Sequence, residues 1–426
     1  MIRILNAEEV SKEEIFNRNM PLDDVSDIVS GIIDNVRKNG DAALFEYCRK
    51  FDHADLKDLL VSREEMDSAC DAVGEDFLRI LNRAADNIRK FHEKQKRNSF
   101  IINDEPGIVI GQKVIPLDRV GLYVPGGTAA YPSTVLMDSL PARIAGCREI
   151  VITTPPGPDG TVPPEILAAA SVAGVDKIYK VGGAQAVAAL AYGTESIQRV
   201  DKIVGPGNAF VAEAKKQVFG VVSIDMIAGP SEILILADEK SDPVNVAADL
   251  LSQAEHDKNA SAVLVTDSME LAVNVQKEIE RQLKLLEREE IARVSIENNG
   301  KIIVTSDMKA AVETSNEIAP EHLELCLDDP FDYLDSIKHA GSVFLGRYAP
   351  EALGDYLAGP NHTLPTSGTA RFFSPLSVDD FVKKSQYTYY SREAFEKAAR
   401  DVAAFARREG LTAHARSAES RLGENR

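Results

Sequence analysis

One pattern constrains the fold of this chain more than any other: strands and helices alternate in two separate blocks. In the first block, residues 107–111 and 120–124 read as strands, then residues 149–153 as a strand, 164–173 as a helix, 177–181 as a strand and 184–192 as a helix. In the second, residues 262–266 read as a strand, 269–286 as a long charged helix, 301–305 as a strand, 308–318 as a helix and 323–327 as a strand. A strand followed by a helical crossover and another strand within roughly 30 residues is the pattern of a parallel sheet. The chain therefore reads as α/β, with two Rossmann-like parallel-sheet domains. Its 426 residues exceed one ordinary core, at roughly 150 residues per domain.

The flanks differ from the blocks. Residues 25–39 carry Val25, Ile28, Val29, Ile32, Ile33 and Val36 on one face, and a second long helix is expected over 75–96. The string from Pro21 to Val25 reads as a helix start. Beyond Phe372 the alternation stops, with a helix over 391–409 and a short polar tail. The expected organisation is a helical N-terminal region (1–115) packing with the second α/β block, a first Rossmann-like domain (116–236), a second (237–371) and an extended C-terminal helical tail (372–426).

Charge and cysteine usage narrow the partners. Acidic residues outnumber basic ones 67 to 48, for a formal charge of −19. Such a surface repels phosphate backbones and anionic headgroups, so neither nucleic acid nor membrane is an expected partner. No stretch reaches the roughly 18 apolar residues of a spanning helix, and residues 1–6 show no signal-peptide pattern. Cys48, Cys70, Cys147 and Cys326 are widely separated, which fits reduced thiols in a cytoplasmic protein.

Neither block contains GxGxxG. The nearest string, Gly205-Pro206-Gly207-Asn208-Ala209-Phe210, lacks the third glycine. Gly-rich turns at Gly126-Gly127 and Gly182-Gly183 each follow a strand, where a ligand binds at the carboxyl ends of parallel strands. Tight turns that need positive φ explain the same glycines, so a nucleotide site stays open at this level.

Four polar constellations stand out. Asp242 and Pro243 start a helix whose end carries Gln253 and His256, three residues apart on one face, where an amide oxygen and an imidazole can meet one cation. Asp249 lies on the same stripe as a carboxylate that can orient His256. A histidine capping the helix C-terminus is the alternative. Glu321 and His322 follow Pro320 at a helix-to-strand junction and offer two titratable groups side by side. A Gly/Pro-dense loop, residues 354–366, carries Asp355 and His362, and the tail carries Glu409 and His414. His53, His92 and His339 read as surface histidines, the last in a short helix. Gln, Asp and two His together make a nitrogen/oxygen set suited to zinc, or to cobalt or manganese in its place.

Taken with their neighbours, these pieces resemble histidinol dehydrogenase. The strings IDMIAGPSE (residues 224–232) and DLLSQAEH (249–256) match in residues and spacing. GLYVPGG (121–127), VGGAQA (181–186), GPGN (205–208), APEHLEL (319–325), GDYLAGPNHTLPT (354–366) and LTAHARS (411–417) also look like family blocks. The resemblance implies a four-electron oxidation of L-histidinol, through histidinal, to L-histidine, with two NAD and one water. It implies one zinc ion per subunit, with Gln253, His256, Asp355 and His414 as ligands, and Glu321 and His322 as the acid/base pair. Ser231, His362 and Glu409 are implied substrate contacts, joined by Gln253, His256, His322, Asp355 and His414. Tyr123, Gln185 and Asn208 are the implied NAD contacts. A homodimer is implied, with Glu409 and His414 acting in the partner's site. A dehydrogenase for another alcohol, a zinc hydrolase using Glu321, and a non-catalytic metabolite-binding protein are the alternatives.

Overall fold

The computed structural model describes residues 1–16, 24–126 and 130–423. The string Pro21 to Asp23 and the turn residue Gly127 therefore lie outside the described residues. Strand β1 (Arg3–Asn6) and the short helix α1 (Lys12–Phe16) lead to α2 (Ser26–Asn39), α3 (Asp41–Tyr47) and α4 (Arg63–His92). A reciprocal cap starts α4: the Glu65 amide donates to Ser62 Oγ at 3.2 Å, and the Ser62 amide donates to Glu65 Oε2 at 2.8 Å. Gly74, at φ +77°, breaks the helix into two segments. Strands β2 (Phe100–Ile102) and β3 (Ile108–Pro116) follow.

The first parallel sheet is built from β4 (Arg119–Tyr123), α5 (Pro132–Ala145), β5 (Glu149–Thr154), α6 (Pro164–Ala173), β6 (Lys177–Lys180), α7 (Gly183–Tyr192), β7 (Lys202–Val204), α8 (Ala209–Val218) and β8 (Ser223–Ile224). Its order is β6-β5-β4-β7-β8, all parallel. Numbered within the block this is 3-2-1-4-5, so the order reverses between β4 and β7. Helices α4, α5 and α6 share a core with Val120, Leu122, Ile150 and Ile152 on one face. Helices α2, α3, α7 and α8 share another with Val151 and Ile203 on the opposite face.

The second sheet uses β9 (Glu232–Ala237), α9 (Pro243–Ala254), β10 (Ser261–Thr266), α10 (Met269–Leu283), α11 (Glu289–Asn298), β11 (Lys301–Val304), α12 (Met308–Ile318), β12 (His322–Cys326), α13 (Phe331–Leu334) and β13 (Ser342–Leu345). Its order, β1-β11-β10-β9-β12-β13, repeats the 3-2-1-4-5 plan with β1 added at one edge. Every named pairing in it is parallel. The two Rossmann-like sheets expected from the alternation are thus present. The packing of the N-terminal region differs from expectation. β1 and Ile15 of α1 join the second sheet's layers, but α2, α3 and α4 bury their apolar stripes on the first.

The chain divides into two compact units, one of residues 1–95 and 117–381, the other of 96–116 and 382–426. After α14 (Glu351–Leu353), the second unit resumes with β14 (Val382–Tyr390), α15 (Arg392–Arg408) and α16 (Thr412–Glu419). β14 pairs antiparallel with β3 from Val382 opposite Pro116 to Tyr390 opposite Ile108. The tail is therefore not purely helical. Its strand, KKSQYTY within β14, has polar residues on both faces and gives no apolar alternation to read. Ala399, Ala403 and Ala406 of α15 meet Ala415 and Ala418 of α16 in a small core of their own. Among the described residues no helix is long and apolar enough to cross a membrane, and the four cysteines are free.

Candidate active site

His322 is the first residue of β12 and pairs with Ile233, the second residue of β9, in the parallel ladder. Its Nδ1 lies 3.0 Å from the backbone oxygen of Glu232. A carbonyl oxygen only accepts, so Nδ1 carries the proton and Nε2 keeps its lone pair. Nε2 is buried with no hydrogen-bond partner among the described residues. It faces Asp355 Oδ1 at 3.9 Å and Glu351 Oε1 at 4.0 Å. Burial holds the imidazole below the ordinary histidine range, against the opposing pull of Asp355.

Glu321 reaches the same residue through its other backbone group. Its Oε2 accepts the Glu232 amide at 2.8 Å, so Glu232 donates to one member of the pair and accepts from the other. Ala319 makes this possible: it caps α12 at φ +52° before Pro320, turning the chain into β12. Burial pushes the Glu321 carboxyl well above the usual carboxylate range, more than the Glu232 amide pulls it down.

A π-helical turn, residues 354–358, projects Asp355 toward both histidines. Its Oδ1 lies 3.6 Å from His362 Nδ1. Burial works to raise the Asp355 carboxyl, but the bond and charge of His362, then the charge of His322, bring it down to about 2. For His362 burial disfavours the charged ring, and Asp355 outweighs it, holding that imidazole above its ordinary value. Glu351 is pushed up to about 9, first by burial and then by the Asp355 charge. Asp355 is therefore the ionised carboxylate of the group and Glu351 holds a proton, with Glu321 shifted in the same direction as Glu351.

Helix α5 fixes the loop that carries His362. Thr134 Oγ1 is 3.3 Å from His362 Nε2, Asn361 Nδ2 donates to the Met137 oxygen at 2.6 Å, and Thr363 Oγ1 donates to Asp138 Oδ1 at 2.7 Å. Residues 134, 137 and 138 share one helix face. A cavity of about 270 Å³ opens here, with His322, Asp355 and His362 as its titratable groups and Phe344, Leu353, Pro360 and Leu364 among its walls. Pockets for drug-sized ligands run roughly 300–1,000 Å³, so this one suits a small metabolite.

Can the site hold a metal? His322 Nε2, Glu351 and Asp355 offer ligand atoms within 4.8 Å of one another. Two zinc ligands at a tetrahedral centre are about 3.4 Å apart, so the observed spacing closes with a small shift. Gln253, on the last turn of α9, is buried with its Oε1 unpartnered. A buried, unpaired amide oxygen is costly unless a cation or a donor meets it. His256 follows in the turn after α9, half-buried, and is close enough for its charge to lower the His322 imidazole further. The donor chemistry fits zinc.

The first sheet carries a second constellation at its carboxyl end. The Tyr123 hydroxyl accepts the Gly183 amide at 3.1 Å, and burial pushes that phenol up to about 12. Gly183 sits at φ +65°, and a Cβ there would lie 2.7 Å from Gln185 Oε1. Asn208 caps α8 by accepting from the Phe210 and Val211 amides at 3.1 and 3.2 Å. Tyr123 ends β4, and Gln185 and Asn208 follow β6 and β7, at the sheet's carboxyl end where the strand order reverses, the usual ligand position in open parallel sheets.

The histidinol dehydrogenase family model matches residues 17–422. A histidinol dehydrogenase of Clostridium acetobutylicum is 58% identical over 394 residues, covering 92% of this chain and 91% of that protein. One from Bacillus subtilis is 56% identical over 393 residues, covering 92% of each. The chain belongs to the histidinol dehydrogenase family. The crystal structure of a histidinol dehydrogenase from Elizabethkingia anophelis superposes with a TM-score of 0.94 at 38% identity, over 99% of this chain and 98% of that one. The chain is thus an oxidoreductase of the family that carries out the final step of histidine biosynthesis, and histidinol is its substrate.

Of the residues singled out in the sequence, His322, Asp355 and His362 come together at the cavity, and Glu321 lies behind His322, its Oε2 3.7 Å from Nδ1. Asp355 belongs to the metal-capable triad as expected; its other members are His322, read as the base, and Glu351, which the sequence reading passed over. Ser231 lies just before β9 and accepts the Ser261 amide through its backbone at 3.0 Å. Glu409 and His414 are exposed residues of the second unit, at the end of α15 and on α16. Asp249, expected to orient His256, instead hydrogen-bonds Glu324, which burial and Asp249 together push up to about 8. His339 is not helical, and His92 is fully buried rather than on the surface, with Nδ1 2.7 Å from Gln95 Oε1.

Proposed function

We propose that the cavity beside His322 takes L-histidinol and oxidises it twice, to histidinal and then to histidine, with two NAD accepting the hydrides. The observation that carries this reading is the His322 tautomer: Nδ1–H is committed to Glu232, so Nε2 is a bare, buried base facing the cavity. In the first oxidation Nε2 takes the hydroxyl proton while the hydride leaves the carbinol carbon that bears it. Water then adds to the aldehyde, and loss of a second hydride gives the acid. Glu321 handles the water proton in that half. Burial raises the carboxyl's affinity for that proton, which makes it a stronger base than a solvent-exposed carboxylate.

Zinc is assigned to Gln253, His256, Asp355 and His414, with His414 supplied by the partner subunit of a homodimer; when bound, it holds the substrate's imidazole and amine so that the carbinol carbon meets the nicotinamide. Ser231, His362 and Glu409 complete the substrate contacts. Asp355 and His362 then serve as a preformed charged pair against the polar end of histidinol. Tyr123, Gln185 and Asn208 are assigned to NAD. Keeping histidinal bound between the two steps protects a reactive aldehyde.

The test is stoichiometric. Purified enzyme with limiting histidinol should reduce two NAD per histidinol consumed, and a chelator should abolish turnover, with zinc restoring it. One NADH per histidinol, with free histidinal accumulating, would overturn the two-step assignment.

A further inference from the structure

A second buried charge pair lies away from the acid/base site, and the chemistry above does not use it. Lys215, on α8, and Asp225, just past β8, form an ion pair with side chains 2% and 1% exposed. Both also bond one residue, Gly205, through the two peptide groups that flank its Cα. The Gly205 amide donates to Asp225 Oδ2 at 2.8 Å, and Lys215 Nζ donates to the Gly205 oxygen at 2.9 Å. Gly205 follows the last residue of β7, where its backbone groups have left the strand ladder. Its φ is +113°, and a Cβ there would stand 2.2 Å from the Tyr123 oxygen at the end of β4. The pair therefore pins the residue that passes closest to β4 at the reversal of strand order, three residues before Asn208.

Burying two charges costs desolvation that an apolar pair of similar volume avoids, so stability alone is a poor reason for an ion pair here. Two charged groups that bond the successive peptide groups of one residue hold its φ and ψ more tightly than neutral contacts. Lys215 also sits on the helix that Asn208 caps, so the loop and the helix N-terminus are held as one piece.

We propose that Lys215 and Asp225 are positioning residues for the dinucleotide, fixing the 205–208 loop in its binding conformation. This rests on the assignment of NAD to Tyr123, Gln185 and Asn208. The experiment is calorimetric titration of NAD into the full-length enzyme without histidinol, using Lys215→Met/Asp225→Asn together, which leaves no unpaired charge, and Lys215→Arg, which keeps the charge but not the single ammonium. Asn208→Ala is the control. The expected result is a Kd for NAD at least tenfold weaker in both clamp variants, faster hydrogen exchange at the Gly205 amide, and unchanged zinc content. An NAD Kd within twofold of wild type in either folded clamp variant, while Asn208→Ala weakens binding, overturns the clamp. If Asn208→Ala also leaves NAD binding unchanged, the dinucleotide assignment itself fails, and the clamp's role falls with it.

Discussion

His322 donates from Nδ1 to the carbonyl oxygen of Glu232 at 3.0 Å, and that bond decides which ring nitrogen is free to act as a base. The geometry gives a sharp expectation for His322→Asn. An asparagine keeps a donor toward Glu232 but removes the proton acceptor from the cavity. Loss of a positioned general base costs roughly 10²–10⁴-fold in rate. The variant's kcat should fall by that order while histidinol still binds, measured by equilibrium titration. A kcat within about tenfold of wild type would assign the proton to another group.

Two overlapping ligand sets can be separated by metal analysis. The compact triad is His322, Glu351 and Asp355; the proposed set is Gln253, His256, Asp355 and His414. His256→Ala and Asp355→Asn should both lose zinc by elemental analysis of dialysed protein. Glu351→Gln should retain it, because Glu351 holds a proton, pushed up to about 9, and accepts from Ser252 Oγ at 3.0 Å. Loss of zinc in Glu351→Gln with full zinc in His256→Ala would move the ion to the triad.

The parts of this fold that were legible in the sequence are those with amphipathic or bounded patterns. The helix at 308–318 lies where its apolar periodicity placed it, and the one at 164–173 is bounded by Pro163-Pro164 and Gly174. Helix α5 was missed because it is buried from Thr134 to Ala142 and presents no polar face to give a period. β9 was missed for a related reason: a strand covered on both faces reads as a plain apolar run, EILILA, which a buried helix matches equally well. These two silent elements hold the site, α5 through His362 and β9 through both backbone groups of Glu232. Glu351 left no signal because its neighbours carry no ligand-like spacing. The signal that could have found it is its position four residues before Asp355, one helical turn away.

The contact between α5 and the His362 loop should also be visible in the pH dependence of stability. Burial pushes Asp138 up to about 7, outweighing the bond from Thr363. A carboxyl raised in the folded state contributes stability that is complete below its unfolded value, about 3.9, and is lost as pH rises through the folded one. Wild-type Tm should therefore contain a declining limb between about pH 4 and 7 that Asp138→Asn removes. Thr363→Val leaves the carboxyl without its donor, at a cost of about 1–3 kcal/mol, and should steepen that limb while weakening histidinol binding through His362. A Tm difference between wild type and Asp138→Asn that is constant across this range would count against a raised Asp138.

Sharing of the site between subunits is testable by complementation. If His322 of one subunit works with His414 of the partner, His322→Asn and His414→Asn homodimers are each nearly inactive. Denaturing and refolding the two together in equal amounts should give half heterodimers. In a two-fold symmetric dimer each heterodimer carries one doubly altered site and one intact site, so about a quarter of wild-type activity should return. The recovered activity should show the wild-type KM for histidinol, because the intact sites contain no altered residue. Exchange demonstrated by native mass spectrometry with no activity above the parent variants would place His322 and His414 in the same subunit's site.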